Sequence, residues 1–201
     1  SSEEIEADLR SRLALTDQQS MDTGTMPEDW KKAKVIPISK KGAKGKAENH
    51  RPLSLTSTVC KLMESIIREK ITDHLNFNSL LNKSQHRFMK SRSCQTNLLE
   101  FMDFVTEKID NGEAVDIVYL DYSKAFDKIS HQKLITKLKA HGISGKVADW
   151  VKEWLTDRKQ YVVIDGLESG VIYVISGVPQ GSVLGPILFI IYINDIDEVV
   201  K

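Results

Sequence analysis

The sequence predicts an α+β fold, and three observations carry that expectation. Apolar residues recur at helical spacing over residues 57–76, 96–109 and 147–155. Short β-branched and aromatic runs of strand length lie between and after them, at 117–120, 161–164 and 171–175. With 201 residues, 41% of them hydrophobic, the chain can bury a real core as one large domain or two small ones.

Taken in order, residues 3–15 place Ile5, Leu9 and Leu13 at i, i+4 and i+8 without Gly or Pro, which predicts a weakly amphipathic helix. Met21 to Pro27 reads as a loop. Trp30 to Ile38 is basic and then apolar, an extended segment that Pro37 confines to an edge or an end. Lys40, Lys41, Lys44 and Lys46 alternate with Gly42 and Gly45 in a flexible basic loop. Glycines allow close backbone approach and lysines supply charge, so a triphosphate or a nucleic-acid backbone is one natural ligand; a solvated hairpin tip is an equal reading.

Val59, Leu62, Met63, Ile66, Ile67, Ile71 and Leu75 form the stripe of a long core helix over Ser57 to Asn76. Ser84 to Cys94 is polar and basic with one aromatic, suited to track a nucleic-acid strand or merely to join two helices. The helix that follows, Thr96 to Ile109, is expected to bury Leu98, Phe101 or Met102, Val105 and Ile109. Ile117 to Leu120 then forms a predicted strand that ends on Asp121, where a carboxylate is fixed by its strand and open to ligands. A lone Asp in such a place is more often a solvated turn residue.

Ser130 is the expected N-cap of a helix over His131 to Ala140, with Gly142 at its C′ position. Val147, Trp150, Val151, Trp154 and Leu155 mark a further helix whose tryptophans read as core. Two apolar runs around Asp165 to Gly170 predict a hairpin. Ser176 to Ser182 is a loop opening an apolar helix over Val183 to about Ile196; Gly177 and Gly181 leave room at the backbone, and Gln180 offers a donor and an acceptor.

The formal charge of zero conceals segregation. Residues 1–29 are net −6, residues 30–95 carry 15 basic and 4 acidic side chains for net +11, and residues 96–201 are net −5. Such a chain suits a grip on phosphates by one part and a gathering of cations by another, or else clustered solvated helix faces. The longest apolar run, Ile187 to Ile193, is far short of the ~20 residues of a membrane span, and no signal peptide is visible. Cys60 and Cys94 have no partners at metal-ligand spacing, which points to a reducing, intracellular compartment, nuclear or cytoplasmic.

From about Met21 to Asp195 the chain resembles the reverse transcriptase of non-LTR, LINE-type retrotransposons. Six motifs at family spacing carry the resemblance: P-E-D-W-K, K-V-I-P-I-S-K-K-G, N-H-R-P-L-S-L-T, S-C-Q-T-N-L-L, Y-L-D-Y-S-K-A-F-D and S-G-V-P-Q-G-S-V-L-G-P. The resemblance implies a right-hand polymerase with an N-terminal extension over 1–20, fingers over 21–110 and a partial palm over 111–201, ending before the family's aromatic-Ala-Asp-Asp hairpin and thumb.

It further implies that Asp121, with the backbone carbonyl of Tyr122, ligates catalytic Mg2+, and that Ala125 and Phe126 line the nucleotide, Phe126 walling off the sugar 2′ position. Arg51 and Lys46 would hold the triphosphate, and Gln180 and Gly181 would line the nucleotide and template site. Lys40, Lys41, Lys44, Arg87, Lys90 and Arg92 would contact nucleic acid. The implied partners are an RNA template, a DNA primer and deoxynucleoside triphosphates, with no membrane.

Asp195 and Asp197 do not stand in for the missing carboxylates, since they follow a helix rather than sit paired at a strand turn. His50 replaces a usual Tyr, and Arg87 replaces the Gly expected before Phe88, so the backbone there should depart from the family's. The expectation is a polymerase fragment inactive alone and prone to self-association through an uncovered palm edge. The alternatives are a domesticated remnant acting as a nucleic-acid-binding or protein-interaction module, and a defective copy with no role.

Overall fold

The computed structural model describes residues 15–40, 42–43, 45–89 and 92–196; the expected helix over 3–15 lies outside them but for Leu15, as do Lys41, Lys44, Lys90 and Asp197. The chain divides into two compact units, one holding the residues up to Leu80 and from Ala125 onward, the other Leu81–Lys124. The elements are mixed α and β, with a mixed sheet in the first unit.

That sheet begins with β1 (Lys32–Ser39), which pairs antiparallel with β2 (His50–Leu55) and parallel with β3 (Lys159–Ile164). Pairing with β3 covers only Lys32 to Val35, so Pro37 lies past it, at the strand's one-sided end. Pro37 also faces Pro52 across the β1–β2 pair, where neither residue has an N–H to offer. The basic loop is the tip of this hairpin, closed by the Lys40 amide on the Asn49 carbonyl at 2.7 Å.

The predicted hairpin forms on β3. Asp165 and Gly166 both take positive φ, +49° and +82°, as a two-residue turn that matches strand twist requires. The return strand is broken into β4 (Leu167–Glu168) and β5 (Ile172–Tyr173). Register explains the break: Val163 faces Glu168, whereas Gln160 faces Ile172, so the return strand carries one extra residue. The Ser169 hydroxyl fills the gap by accepting the Val162 amide at 2.9 Å.

Helices α1 (Leu15–Thr23), α2 (Glu28–Lys31), α3 (Thr58–Phe77), α5 (His131–Ala140), α6 (Gly145–Leu155) and α7 (Gly185–Ile193) complete this unit, and α4 (Cys94–Asp110) belongs to the other. Met21 to Thr23 are thus helical rather than loop, and Trp30 closes a helical turn before β1. The α5 helix spans the predicted residues, with the Ser130 hydroxyl accepting the Lys133 amide and Gly142 at φ +77°. A Cβ on Gly142 would also meet His74 Nε2 at 3.1 Å, the same atom that bonds the His141 carbonyl at 2.9 Å.

In the core, α6 buries Val147, Trp150, Val151, Trp154 and Leu155 as its periodicity predicts. The buried face of α3 is Cys60, Met63, Glu64, Ile67, Ile71 and Leu75, whereas Val59 and Leu62 are exposed. A 20-residue helix packed along one line can bury only one stripe, and the flanks of the wide apolar pattern fall outside it. The α7 helix is apolar all round and largely buried, but ends at Ile193 rather than Ile196. Among the described residues no helix is long and apolar enough to cross a membrane.

The second unit departs most from expectation. Ile117 to Leu120 form no strand; residues 113–122 have no regular structure, and Val118 and Tyr119 are both more than four-fifths exposed. A β-branched run becomes a strand only when another strand takes its backbone hydrogen bonds, and no described segment pairs with it. The α4 helix buries no residue: Leu98, Met102 and Ile109 are exposed, and Phe101 and Val105 half-buried.

Cys60 and Cys94 are free thiols, the first buried and the second exposed. Burial pushes the Cys60 thiol well above its usual range, and the neighbouring Glu64 carboxylate pushes it further. Mass spectrometry after maleimide labelling of the folded chain at pH 8 should therefore find Cys94 modified and Cys60 intact, with both modified in denaturant.

Candidate active site

The candidate site is organised by the loop from Ser176 to Ser182, which is fastened on both sides. On one side it meets Phe126 to Ile129: the Gly177 amide donates to the Ile129 carbonyl at 2.8 Å, the Val178 amide to the Phe126 carbonyl at 3.0 Å, and the Ser176 hydroxyl to the Asp127 carbonyl at 3.0 Å. Gly177 sits at φ +85°, and a Cβ there would lie 2.7 Å from Asp127 Cα. Only glycine meets both demands. The His131 ring adds a bond to the Gly177 carbonyl at 2.8 Å.

On its other side the loop meets β2. The Ser54 amide donates to the Gln180 carbonyl at 2.7 Å, and a Cβ on Gly181 would lie 2.8 Å from the Ser54 carbonyl oxygen. The Gln180 side chain turns back the other way, its Nε2 donating to Asp127 Oδ1 at 3.0 Å. Gln180 therefore links β2 and the Phe126 segment through different atoms, which fixes the direction of its carboxamide.

The start of α7 is held from the interior. Leu184, its N-cap residue, makes no side-chain cap; instead Glu64 Oε2 accepts the amides of Val183 at 2.6 Å and Leu184 at 3.1 Å. A carboxylate there satisfies donors that a helix leaves unpaired and lies at the positive end of the helix dipole. Glu64 is fully buried, and its other oxygen faces Cys60 Sγ at 3.5 Å. Arg158, also buried, donates to the carbonyls of Trp154 at 3.0 Å and Trp30 at 3.4 Å; desolvation lowers its pKa, opposed by the nearby Cys60 and Glu64.

Of the expected nucleotide-site residues, Gln180 and Gly181 lie on this loop, Phe126 on the segment it grips with Ala125 just before it, and Arg51 is exposed on β2, three residues before Ser54. Phe126 is half-buried, its ring stacked on Phe189 of α7 at 4.7 Å between centroids. Lys40 and Lys46 are exposed in the hairpin tip, Lys46 beside Glu48 at 3.8 Å. Asp121 and Tyr122 belong to the second unit, exposed in its irregular segment. Asp195 is ion-paired to Lys137, which holds its carboxyl below the usual range.

Magnesium needs several oxygens arrayed together. Among the described residues no three His, Cys, Asp or Glu side chains come together as such a group, so the present donor set does not by itself fit the ion.

In the second unit the basic segment is shaped by His86. Its ring is buried, with Nδ1 bonding Thr96 Oγ1 at 2.9 Å and Nε2 bonding Glu100 Oε2 at 2.7 Å. Ser93 and Thr96 form a capping box at the start of α4. Arg92 is tied back to the carbonyls of Lys83 and Gln85, the latter at 2.9 Å. Where the family's Gly was expected, Arg87 stays out of the left-handed region, and it is Phe88 that takes φ +61°. For a bulky residue that conformation costs about 1–2 kcal/mol.

Sequence reasoning missed two residues. Asp127 was visible only as the last letter of its motif, and Glu64 as a charge interrupting an apolar stripe, a pattern that signals a buried carboxylate with a specific partner.

A family model described as Reverse transcriptase (RNA-dependent DNA polymerase) matches residues 38–201. The RNA-directed DNA polymerase from mobile element jockey of Drosophila melanogaster is 32% identical over 184 residues, 91% of this chain and 20% of that protein. The probable RNA-directed DNA polymerase from transposon BS of the same fly is 29% identical over 191 residues, 92% and 20% of the two chains. The jockey polymerase of Drosophila funebris is 30% identical over 184 residues, 91% and 20%. The chain belongs to the reverse transcriptase family, and it spans about a fifth of the length of these relatives.

Two substitutions test the site's construction. Glu64→Ala strands one buried and one half-buried amide and should cost about 2–4 kcal/mol in urea unfolding. Gly177→Ala forces a Cβ against the Asp127 backbone, and should lower the unfolding midpoint while leaving the far-UV spectrum of the folded chain unchanged.

Proposed function

We propose that this chain is the nucleotide-gripping part of the RNA-directed DNA polymerase of a non-LTR retrotransposon, with residues 21–110 as fingers and 111–201 as the first part of a palm. The observation that carries this reading is the loop bound at once to β2, the strand that bears Arg51, and to the Phe126 segment, to which the Gln180 side chain is tied through Asp127. Nucleotidyl transfer is mostly positioning and charge neutralisation, so a preset wall of this kind is what the reaction asks of a protein.

In this reading Arg51 and Lys46 neutralise the triphosphate, Phe126 limits the sugar's 2′ side, Ala125, Gln180 and Gly181 line the base and template, and the lysines of the hairpin tip with Arg87, Lys90 and Arg92 grip the RNA template and DNA primer. Asp121 and the Tyr122 carbonyl are the chain's share of a magnesium site. A two-metal clamp needs more carboxylates than one, so the chain by itself is inactive. The exposed apolar run at 117–122 favours self-association.

The test is a binding and extension assay. An RNA/DNA primer-template should bind at low salt with affinity that falls steeply as salt rises, and replacing Lys40, Lys41, Lys44 and Lys46 by Ser should weaken binding and flatten that slope. Primer extension by the chain alone should be undetectable. Extension by these 201 residues, abolished by Asp121→Asn, would overturn the assignment of its catalytic carboxylates.

A further inference from the structure

We propose that Phe88, with Arg87 beside its ring, is a stacking platform for an unpaired base of a single-stranded nucleic acid. The inference rests on the nucleic-acid reading above and names what this loop would hold. Phe88 is 50% exposed, and its backbone is in the left-handed region that bulky residues avoid. Such a residue persists where its surroundings over-determine it, and here they do. His86, directly before the pair, is buried against Thr96 and Glu100; Gln85 Nε2 bonds the Arg87 carbonyl at 2.9 Å; Arg92 holds the Lys83 and Gln85 carbonyls. These bonds fix the backbone on either side of a ring that remains half in solvent.

The neighbours give the occupant its chemistry. The Arg87 guanidinium lies 5.7 Å from the Phe88 ring centroid, and Lys83 and Arg92 are exposed on the same short loop. A ring flanked by cations suits a flat base whose strand carries a phosphate at each step, and stacking needs no particular base. A duplex offers no free base face and should not use the ring.

The test compares the wild-type chain with Phe88→Leu and Phe88→Trp on a single-stranded RNA containing 5-iodouridine, the matching DNA, and an RNA duplex. Phe88→Leu should weaken binding of both single strands roughly fivefold or more at fixed salt. It removes no charge, so the salt slope and duplex binding should not change. Phe88→Trp should bind at least as well as wild type, and irradiation should cross-link the iodinated base to the peptide holding Phe88. Equal binding by Phe88→Leu, or cross-linking only elsewhere, overturns the stacking site alone. Failure of the wild-type chain to bind any strand at low salt overturns it together with the reading beneath it.

Discussion

One buried carboxylate couples the longest helix of the first unit to the loop that builds its candidate site. Val183 and Leu184 present amides that no residue of α7 can satisfy, and Leu184 is buried away from solvent. A buried carboxyl group such as that of Glu64 is costly unless its oxygens are engaged. The two requirements answer each other, and Arg158 supplies opposite charge from the neighbouring core. The end of the Ser176–Ser182 loop is thereby fixed to α3 as well as to β2.

Fixing the loop in this way has a functional consequence. Gly177 and Gly181 let backbone approach it from opposite sides, and the carbonyl and carboxamide of Gln180 bond to different elements. A residue held through both backbone and side chain needs little further ordering when a ligand arrives, so less of the binding energy goes into organising the site. The stack of Phe126 on Phe189 extends the same principle to the ring, since α7 itself is set by Glu64.

The second unit is held by other means. With no fully buried residue on α4, its order comes from a capping box, the His86 bonds and the tie of Arg92 to two carbonyls. Polar constraints of this sort fix a loop's shape without a core beneath it. They leave apolar and cationic side chains facing outward, which a core would not permit.

What could be read from the residues themselves was local. Ser130 and Gly142 mark the two ends of α5, the spacing from Val147 to Leu155 predicts the buried face of α6, and the apolar runs around Asp165 to Gly170 predict the hairpin on β3, because caps, periodicity and turns are settled by neighbours a few residues away. Arg51, Phe126 and Gln180 were legible as candidates through their motifs. What the sequence by itself determined was therefore the family and most elements of the first unit, though not the helical turns at Met21 to Thr23 and at Trp30. Tertiary structure alone decided that Glu64 caps α7, that Asp127 orients Gln180, that Val59 and Leu62 stay outside the core, and that Ile117 to Leu120 is not a strand. Each of these turns on a partner that is distant in sequence or lacking, and a hydrogen bond or a buried face exists only when both of its sides are present.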